Sequence, residues 1–456
     1  VQTFGLKAGL KKFGSNGWKG AIAEFSQLHE RNTFRPIKIN DLTSLEKKRA
    51  LRSLFFLTEK RDGVVKGRTV ADGSTQRPYT DKDDTASPTA TSEAIMITSQ
   101  IDAKQKRDIM TNDVPNAFVQ TDMPKKDKGE RVIMKIQGAL VDILVEIAPE
   151  VYTDDFITYE RGTKTIYVEL LKALYGMLQS AVLFYKKFVK DLQSIGFTIN
   201  PYDPCVANRM VNGKQHTVVF HVDDLKSSHV DPKVNDEFFR WLQKTYGSTD
   251  KPVKSVRGKQ HEYLGMQLDF SEEGKVKIDM TQYVSNMVSE FPYKIKETAT
   301  PWNDQLFKVH DKMKNLDSKR KEIFHTYVMK GMFLCKRGRP DIQPAIAFLS
   351  TRVTKPNEGD WYKLCRMMGF LKKTQEMVLI LEPDDKPHIE WYVDAAFAVH
   401  PDMRSHTGAT MTLGKGFGIS MSLKQKVNAR SSTEAELISV DDVIAKIIWT
   451  KKFMEA

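Results

Sequence analysis

The feature that most constrains the fold of this chain is a pair of acids at the tip of a predicted hairpin. The apolar run 217–220 leads into His221-Val222-Asp223-Asp224, and Leu225-Lys226-Ser227 follows. A strand, a tight turn and a second strand explain this pattern, and they place two carboxylates at an exposed corner. Upstream, Asp113 closes the short run 109–112, and Pro115 ends that strand and suits the first position of a helix. We therefore expect three carboxylates at element ends, where they face a ligand.

Neighbouring carboxylates are costly unless a cation neutralises them. A small number of hard oxygen ligands suits Mg²⁺, which also takes substrate phosphates. Two such ions, roughly 3.5–4 Å apart, clamp the attacking and leaving oxygens in nucleotidyl transfer. The alternative is an ordinary turn, because Asp tolerates turn conformations. Taken alone, the doublet favours that alternative. The neighbouring motifs therefore decide between a metal site and an ordinary turn.

Composition limits the class of protein. The 456 residues allow two to four domains, and 40% of them are hydrophobic, enough for real cores. The charged fraction of 28% argues against a membrane protein. No apolar run is long enough to span a bilayer, and no signal peptide is visible at the start. Since the first residue is Val1 rather than Met, we expect a fragment or a processed product.

The chain is basic, with a formal net charge of +12 and a pI of about 9.2. Residues 1–70 hold 15 Lys and Arg against 6 Asp and Glu. This balance fits a polyanionic partner. Charge alone leaves a solvated basic surface equally open, and nucleic acid becomes the better interpretation only with the acid cluster. The three cysteines, Cys205, Cys335 and Cys365, lack metal-ligand spacing, so we expect free thiols.

The spacing of apolar residues predicts the elements that carry these groups. Helices are expected at about 20–58, 91–107, 179–195 and 231–247, in most of 318–376, and from about Ser432 onward. Strands are expected at 64–71, 132–136, 263–268 and 389–393, with two more flanking Gly414, Gly416 and Gly418. Alternation in strand 64–71 puts Lys66 and Arg68 on one face. The final helix is expected to bury one apolar stripe, made of Leu437, Val440, Ile444, Ile447 and Ile448.

Seven short motifs follow one another along the chain. They are Lys66–Gly73, Asp113–Phe118, Leu174–Gln179, His221–Asp224, Tyr263–Met266, Arg339–Ile342 and Ser431–Glu436. Each is weak alone, and their order makes the set specific. From about residue 18 to the end, the sequence resembles the reverse transcriptase–RNase H portion of a copia-type long-terminal-repeat retrotransposon polyprotein.

The resemblance implies an α+β fold. It would be a right-hand polymerase with fingers, palm and thumb, a helical connection, and a truncated RNase H-like α/β domain. The implied segments are 1–50 for a basic helical lead-in, 51–250 for fingers and palm, 251–300 for the palm end with the primer grip and the thumb start, 301–385 for the helical thumb and connection, and 386–456 for the RNase H-like domain, truncated at its C-terminus.

The resemblance also implies roles for the polymerase residues. Asp113 and Asp223 would ligate both catalytic ions, Mg²⁺ or Mn²⁺, and Asp224 would complete the acidic set. Phosphoryl transfer needs positioning and charge neutralisation more than covalent chemistry, which rigid strand ends provide. Lys66 and Arg68 match basic positions that would grip the incoming triphosphate, since an Arg fork suits phosphate. The alternative is two solvated surface charges.

Other family positions surround the nucleotide and the primer. Phe118 matches an aromatic that packs under the sugar and excludes a 2′-hydroxyl, with an ordinary core phenylalanine as the alternative. Gln179 lies in the loop that would support the templating base and the nucleotide. Tyr263, Leu264 and Gly265 would hold the primer end, with a structural strand as the alternative.

The sequence departs from the family pattern at three places. Leu178 stands where members often carry Lys, and Val182-Leu183 stand where they often carry Pro-Arg. His221 stands where Tyr is more usual, and its ring has a comparable reach. These departures fall around Gln179 and beside the acid pair.

The C-terminal region resembles RNase H, in which Asp394 and Glu434 would be the first two metal ligands. The alternative for Glu434 is a capping box, with Glu three residues after the cap residue Ser431. The family's next acid lies on a strand after this helix, and the chain stops at Ala456, so an incomplete site is expected. Asp441 and Asp442 do not match the ligand position and are interpreted as solvated helix acids. We therefore expect little or no RNA cleavage.

These inferences predict an RNA-directed DNA polymerase that uses an RNA template, a DNA or RNA primer–template duplex and dNTPs, with Mg²⁺ or Mn²⁺. No membrane partner is expected, and the sequence does not indicate an oligomeric state. The resemblance implies a location in a cytoplasmic virus-like particle, with possible nuclear entry. The alternative function is a catalytically inactive, retroelement-derived relic that binds nucleic acid.

Overall fold

The computed structural model describes residues 3–59, 63–81, 85–125, 127, 130–249, 251–386 and 388–456. Its helices are α1 (Leu6–Glu30), α2 (Ser44–Arg49), α3 (Ser92–Lys104), α4 (Ala139–Ile147), α5 (Ser180–Ser194), α6 (Pro232–Tyr246), α7 (Thr281–Ser289), α8 (Ser318–Cys335), α9 (Gln343–Ser350), α10 (Glu358–Lys373) and α11 (Ser432–Glu455). Among the helices so described, none combines the length and apolar character needed to cross a bilayer.

The strands are β1 (Thr3–Gly5), β2 (Phe34–Ile37), β3 (Leu51–Glu59), β4 (Val65–Ala71), β5 (Asp108–Asp113), β6 (Ile133–Gln137), β7 (Ile157–Glu160), β8 (Thr163–Leu170), β9 (Thr198–Ile199), β10 (Val206–Val211), β11 (Lys214–His221), β12 (Asp224–His229), β13 (Lys254–Arg257), β14 (Gln260–Tyr263), β15 (Met266–Asp269), β16 (Val276–Asp279), β17 (Leu379–Pro383), β18 (Glu390–Ala396), β19 (His406–Thr412), β20 (Gly414–Lys415) and β21 (Ile419–Lys424).

The chain divides into two compact units, each assembled from distant segments. The first unit comprises Val1–Thr89, Val114–Phe197 and Gln243–Val253. The second unit comprises Ala90–Asp113, Thr198–Leu242 and Lys254–Ala456. The mixture of helices and sheets agrees with the expected α+β class. The five-segment division implied by the resemblance stays a prediction.

The first unit is built on a seven-stranded sheet. Its order is β1-β3-β6-β8-β2, with β4 paired to β3 and β7 paired to β8. The buried core includes Phe25 of α1, Leu57 of β3 and Ile136 of β6. α1 lies very close to β4, because a Cβ on Gly67 would come within 2.6 Å of the carbonyl oxygen of Gly20.

In the second unit, a six-stranded antiparallel sheet has the order β13-β5-β12-β11-β10-β9. α3 lies against one face, where Asp102 pairs with Lys226 of β12. α6 lies against the other face, where Asn235 accepts a hydrogen bond from Ser227 at 2.7 Å. Because Lys226 and Ser227 are consecutive strand residues, they point to opposite faces. Both faces of β12 are therefore covered, and only its first residue is exposed.

The rest of the second unit contains two further sheets, β14-β15-β16-β17-β20 and β18-β19-β21. Helices α7–α10 share a buried apolar core with the first of these sheets, which includes Phe324, Leu364 and Leu381. α11 packs on β18 and β19. This arrangement confirms the predicted strand 389–393, the strands around Gly414 and the final helix.

Three predictions about element type are wrong. Within the predicted helix 20–58, residues 34–37 form β2 and residues 51–58 lie in β3. Leu51, Phe55 and Leu57 are buried on one side of β3, and aromatic residues suit strands. Segment 263–268 is not one strand, because Leu264-Gly265 form the turn of a β14–β15 hairpin. Pro115 lies in a turn that precedes a short 3₁₀ segment, not at the start of an α-helix.

The predicted buried stripe of α11 is also wrong. Leu437 is 69% exposed, and Val440, Ile444 and Ile448 are exposed as well, while Ile447 is half-buried. The buried face carries mostly small or hydroxyl-bearing residues, which let the helix lie close to the sheet. It consists of Ala435, Ser439, Val443, Thr450 and Phe453.

Candidate active site

The acid pair lies at the tip of a tight hairpin, as predicted. His221 pairs with Asp224 across β11 and β12, so Val222 and Asp223 form a two-residue turn. Val222 has a φ of +58°, a value that the first position of a type II′ turn requires and that usually selects Gly. A β-branched residue in this conformation is strained, and such strain is typical of functional sites.

Asp113 joins the pair from a distant part of the sequence. β12 pairs with β5 so that Asp224 stands directly opposite Asp113. Partners in antiparallel strands have Cα atoms roughly 4.5–5.5 Å apart. On its other side, Asp113 stands opposite Lys254 of β13. The second unit therefore brings the three predicted acids to one end of one sheet.

The acids influence one another electrostatically. The pKa of Asp224 is raised to about 6, first by desolvation in the surrounding protein and then by the charges of Asp223, Asp113 and Glu262. The ionised form of Asp224 is thus disfavoured, which is the condition that a bound cation relieves. Glu262 was missed by the sequence analysis, although it directly precedes the Tyr263–Met266 motif.

The donor set suits a divalent cation that takes further ligands from its substrate. Within the described residues, no group of three or more His, Cys, Asp or Glu side chains is arranged to hold a metal ion by itself. Mg²⁺ is commonly held by one or two carboxylates, with water and substrate phosphates supplying the other oxygens. The oxygen-only chemistry of Asp113, Asp223 and Asp224 fits that role as a partial ligand set.

His221, the departure from the family pattern, lies on the strand side of the turn. Its Nδ1 is buried and has no hydrogen-bond partner in the structure. Burial lowers the pKa of the ring, and Arg337 acts in the same direction while Asp223 opposes it. Burial therefore favours the neutral imidazole at a position where the family usually has a phenol.

Tyr263 contacts β11, the first strand of the acid hairpin. Its side chain is 2% exposed, and its hydroxyl donates a hydrogen bond of 3.1 Å to the carbonyl oxygen of Val219 in β11. This burial favours the structural alternative for Tyr263. Leu264 and Gly265 form the adjoining turn, where Arg337 Nε donates to the carbonyl oxygen of Leu264 at 3.3 Å. The primer contacts of these three residues stay predictions.

In the first unit, the two predicted phosphate-binding cations share one exposed face. Lys66 and Arg68 occupy alternate exposed positions of β4, as predicted. The guanidinium of Arg68 lies 4.8 Å from the ring centroid of Tyr175. The half-buried ring of Phe118 meets the same ring edge-on at 4.7 Å. Tyr175, for which the sequence indicates no separate role, thus contacts two predicted nucleotide-binding residues.

The loop after Tyr175 needs its glycine. Gly176 has a φ of +87°, and a Cβ there would lie 2.2 Å from the carbonyl oxygen of Ala71. The amide of Ala71 also donates to the carbonyl oxygen of Tyr175 at 2.7 Å. Gln179 follows as the N-cap residue of α5, and its side chain makes no capping hydrogen bond. Its predicted role in supporting the nucleotide stays a prediction.

Glu24 of α1 is a further charged neighbour that the sequence did not reveal. Its Oε1 accepts a hydrogen bond of 2.9 Å from the amide of Thr69 in β4. Burial raises the pKa of Glu24, and the charges of Lys66, Lys251 and Arg68 partly oppose this shift. Glu24 therefore anchors the strand that presents the two cations.

The predicted RNase H acids lie on neighbouring elements, Asp394 on β18 and Glu434 on α11. Asp394 is exposed on β18. Glu434 Oε2 accepts from the amide of Arg430 at 2.6 Å, and Ser431 Oγ accepts from the amide of Glu434 at 3.1 Å. The structure therefore contains the Ser431 cap of the alternative, but the Glu434 carboxylate bonds to the amide of Arg430 rather than to that of Ser431, so the capping box is incomplete. A metal role for both acids stays a prediction.

One interpretation in this region is wrong. Asp442 is not a solvated helix acid, because it is half-buried and accepts a hydrogen bond of 2.8 Å from Thr407 Oγ1 of β19.

Comparison with known proteins shows which family and which relatives the chain resembles. Residues 38–304, more than half of its length, match the family described as Reverse transcriptase (RNA-dependent DNA polymerase). The Retrovirus-related Pol polyprotein from transposon TNT 1-94 of Nicotiana tabacum is 24% identical over 452 residues, 96% of this chain and 31% of the relative. The Transposon Ty1-GR2 Gag-Pol polyprotein of Saccharomyces cerevisiae is 22% identical over 443 residues, 92% of this chain and 23% of the relative. A transposon Ty5-1 protein of the same yeast is 25% identical over 285 residues, 61% of this chain and 89% of the relative.

Two solved structures are similar to the chain at a low level. A foamy viral protease–reverse transcriptase in complex with double-stranded DNA has a TM-score of 0.49 and 13% identity, over 92% of this chain and 58% of that chain. A native Prototype Foamy Virus protease–reverse transcriptase has a TM-score of 0.30 and 16% identity, over 93% and 45%. TM-scores below 0.5 support no assignment of fold or function.

The chain spans less than a third of the length of the TNT 1-94 and Ty1-GR2 polyproteins. The resemblance to retrotransposon polyproteins of the copia type is confirmed by these relatives. With its family match over residues 38–304, the chain belongs to the reverse transcriptase (RNA-dependent DNA polymerase) family.

Proposed function

We propose that this chain is an RNA-directed DNA polymerase that extends a primer with deoxynucleotides by two-metal nucleotidyl transfer. The observation that carries the proposal is the register that sets Asp224 opposite Asp113, with Asp223 in the adjoining turn. The raised pKa of Asp224 supports it, because the charged form of this carboxyl is destabilised by desolvation in the surrounding protein and then by its acidic neighbours.

Asp113, Asp223 and Asp224 would hold Mg²⁺ or Mn²⁺ together with oxygens of the incoming triphosphate. When bound, these ions neutralise the acids and stabilise the charge that develops on the phosphoryl oxygens. The primer 3′-hydroxyl attacks the α-phosphate, and pyrophosphate leaves. The task of the protein is to hold the carboxylates on strand ends that do not move.

Residues of the first unit would bind the nucleotide. Lys66 and Arg68 present two cations from one exposed strand face, which suits a triphosphate. Phe118 would exclude a 2′-hydroxyl, and Gln179 would support the templating base. The contacts of Tyr175 with Arg68 and Phe118 support this group of roles, because one ring holds both side chains in place.

The expected nucleic-acid partner is an RNA template annealed to a DNA or RNA primer. The net charge of +12 favours a polyanion. Because phosphate contacts dominate such binding, the affinity should be largely independent of sequence and should fall with salt. An A-form hybrid would be recognised by its shape.

The RNase H-like region is proposed to cleave RNA weakly or not at all in this chain. One carboxylate oxygen of Glu434 already accepts a hydrogen bond from the amide of Arg430. The test is hydrolysis of labelled RNA in an RNA–DNA hybrid. Strong cleavage that Asp394→Asn abolishes would contradict the proposal.

Primer extension on an RNA template, with Mg²⁺ or Mn²⁺, tests the polymerase function. We expect the wild type to extend the primer and Asp223→Ala to lose at least about a hundredfold in rate, as removal of a major electrostatic group does. Asp441→Asn, which changes an exposed acid of α11, is the matched control and should extend normally. A wild-type chain that binds the duplex but never extends the primer would instead support the inactive relic.

A further inference from the structure

A second group of charged side chains lies buried behind the acid corner. Asp102 of α3 and Lys226 of β12 form an ion pair whose side chains are 0% and 1% exposed. Ser228 Oγ donates to Asp102 Oδ1 at 2.6 Å. The guanidinium of Arg107, 2% exposed, lies 3.7 Å from the same oxygen. The proposed chemistry uses none of these four residues, which we call the Lys226 cluster.

The Lys226 cluster connects the strands that carry the three acids. Arg107 directly precedes β5, the strand that ends at Asp113. Its Nη1 donates to Thr217 Oγ1 of β11 at 3.0 Å and to Ser228 Oγ of β12 at 3.3 Å. The cluster therefore joins α3, the start of β5 and both strands of the acid hairpin.

Lys226 lies close to the acid set along the strand. It follows Asp224 by two residues, so both side chains project from the same face of β12, roughly 7 Å apart along the chain. Its cross-strand partner is Thr111, two residues before Asp113. Lys226 therefore lies two residues from Asp224 along β12, and its strand partner Thr111 lies two residues from Asp113 along β5.

The register of β12 against β5 determines which acids meet. A slip of one residue would turn every side chain of β12 to the opposite face. It would remove Lys226 from Asp102, leave a buried carboxylate with fewer partners, and displace Asp224 from Asp113. A buried ion pair adds little net stability compared with apolar residues of similar volume, but breaking one is costly. Its strongest effect here is to disfavour the wrong register.

We propose that Lys226, through its buried pair with Asp102, is a positioning residue that holds Asp224 opposite Asp113 in the register needed for metal binding and nucleotidyl transfer. The inference rests on the proposed function, which it deepens. It assigns Lys226 no contact with substrate.

Two variants test the positioning role. Lys226→Met keeps the length of the side chain and leaves Asp102 with Arg107 and Ser228, so the buried charges stay balanced. Asp102→Asn keeps the shape and an acceptor for Ser228 but weakens the hold on Lys226. The control is Arg352→Met, which removes a 3.1 Å ion pair to the buried Asp360 outside this sheet.

The measurements are thermal unfolding, Mn²⁺ affinity by electron paramagnetic resonance, and single-nucleotide extension. We expect both variants to fold, to bind Mn²⁺ about tenfold more weakly, and to lose roughly ten- to a hundredfold in kcat with an unchanged KM for the nucleotide, since small misplacements of reacting groups cost such factors. Arg352→Met should lower the melting temperature without changing Mn²⁺ affinity or kcat.

A folded Lys226→Met or Asp102→Asn chain with wild-type Mn²⁺ affinity and kcat would overturn the positioning role and leave the cluster purely structural. If Lys226→Met does not fold, the Mn²⁺ affinity and kcat of Asp102→Asn decide whether the positioning role holds. If the wild type binds Mn²⁺ but does not extend a primer, the proposed function fails, while weaker Mn²⁺ binding in the variants still supports the positioning role.

Discussion

Single residues at the turn of the acid hairpin combine backbone strain with electrostatic repulsion. Val222 adopts a φ of +58°, a conformation that favours Gly. Desolvation raises the pKa of Asp224 to about 6, together with the charges of Asp223, Asp113 and Glu262. The doublet and Asp113 were predictable, because each closes an apolar run. Glu262 and Tyr175 were not predictable as members of these sites, because their roles depend on which strands and loops become neighbours.

The raised pKa of Asp224 predicts a pH-dependent gain in stability when its charge is removed. The native carboxyl titrates near pH 6 rather than 3.8, so the native state is relatively favoured at low pH and loses this advantage as pH rises through 6. In metal-free buffer, Asp224→Asn should therefore stabilise the chain by about 1 kcal/mol at pH 7.5, after allowance for solvent screening. The gain should vanish below about pH 4.

Chemical denaturation at both pH values measures this difference. Asp441→Asn, at an exposed helix position, is the control and should show the same small effect at both. Equal stabilisation by Asp224→Asn at pH 4 and pH 7.5 would show that the buried charge of Asp224 is not its cause.

Phe118 is predicted to select deoxynucleotides. Its ring packs edge-on against Tyr175 and is half-buried, so a rigid aromatic surface is available. Phe118→Ala should admit ribonucleotides and reduce the ratio of kcat/KM for dNTP over rNTP by about tenfold or more, as the loss of one steric contact does. Incorporation of matched dNTP and rNTP pairs measures the ratio. Phe156→Ala removes another partly buried ring of the first unit and should leave the ratio unchanged, and an unchanged ratio in Phe118→Ala would refute the role.

At the scale of elements, periodicity predicted most helices and strands but not which face of an element is buried. The acid hairpin, β4 and α5 form where they were expected. Residues 51–58 also fit a helical spacing through Leu51, Leu54 and Phe55, and pairing with β1, β4 and β6 is what makes them a strand. Such pairing connects distant segments, so local sequence carries little sign of it.

The exposed face of α11 gives the clearest test at this scale. Leu437 is 69% exposed and Val443 is fully buried, although both are apolar residues of one helix. Leu437→Ser should change the free energy of unfolding by less than about 0.5 kcal/mol, whereas Val443→Ser should cost about 2–4 kcal/mol. Urea denaturation of the two variants compares them directly. A larger loss from Leu437→Ser than from Val443→Ser would restore the stripe predicted from sequence.

At the scale of the whole molecule, each compact unit gathers segments that are far apart in the chain. The acids illustrate this, since Asp113 and Asp224 are separated by more than a hundred residues and yet face each other across two strands. The motif order predicted the family, which the match over residues 38–304 confirms. It did not predict the Lys226 cluster, because buried ion pairs are fixed by tertiary packing rather than by spacing.

The most direct test of the shared acid site is Mn²⁺ binding, measured by electron paramagnetic resonance on the wild type, Asp113→Asn, Asp223→Asn and the double variant. We predict that each single substitution weakens the same Mn²⁺ site by at least about tenfold and that the double variant loses less than the product of the two effects, because residues that act as a unit are not additive. Full Mn²⁺ affinity in Asp113→Asn, with loss confined to Asp223→Asn, would contradict a single ion site built from the two distant segments.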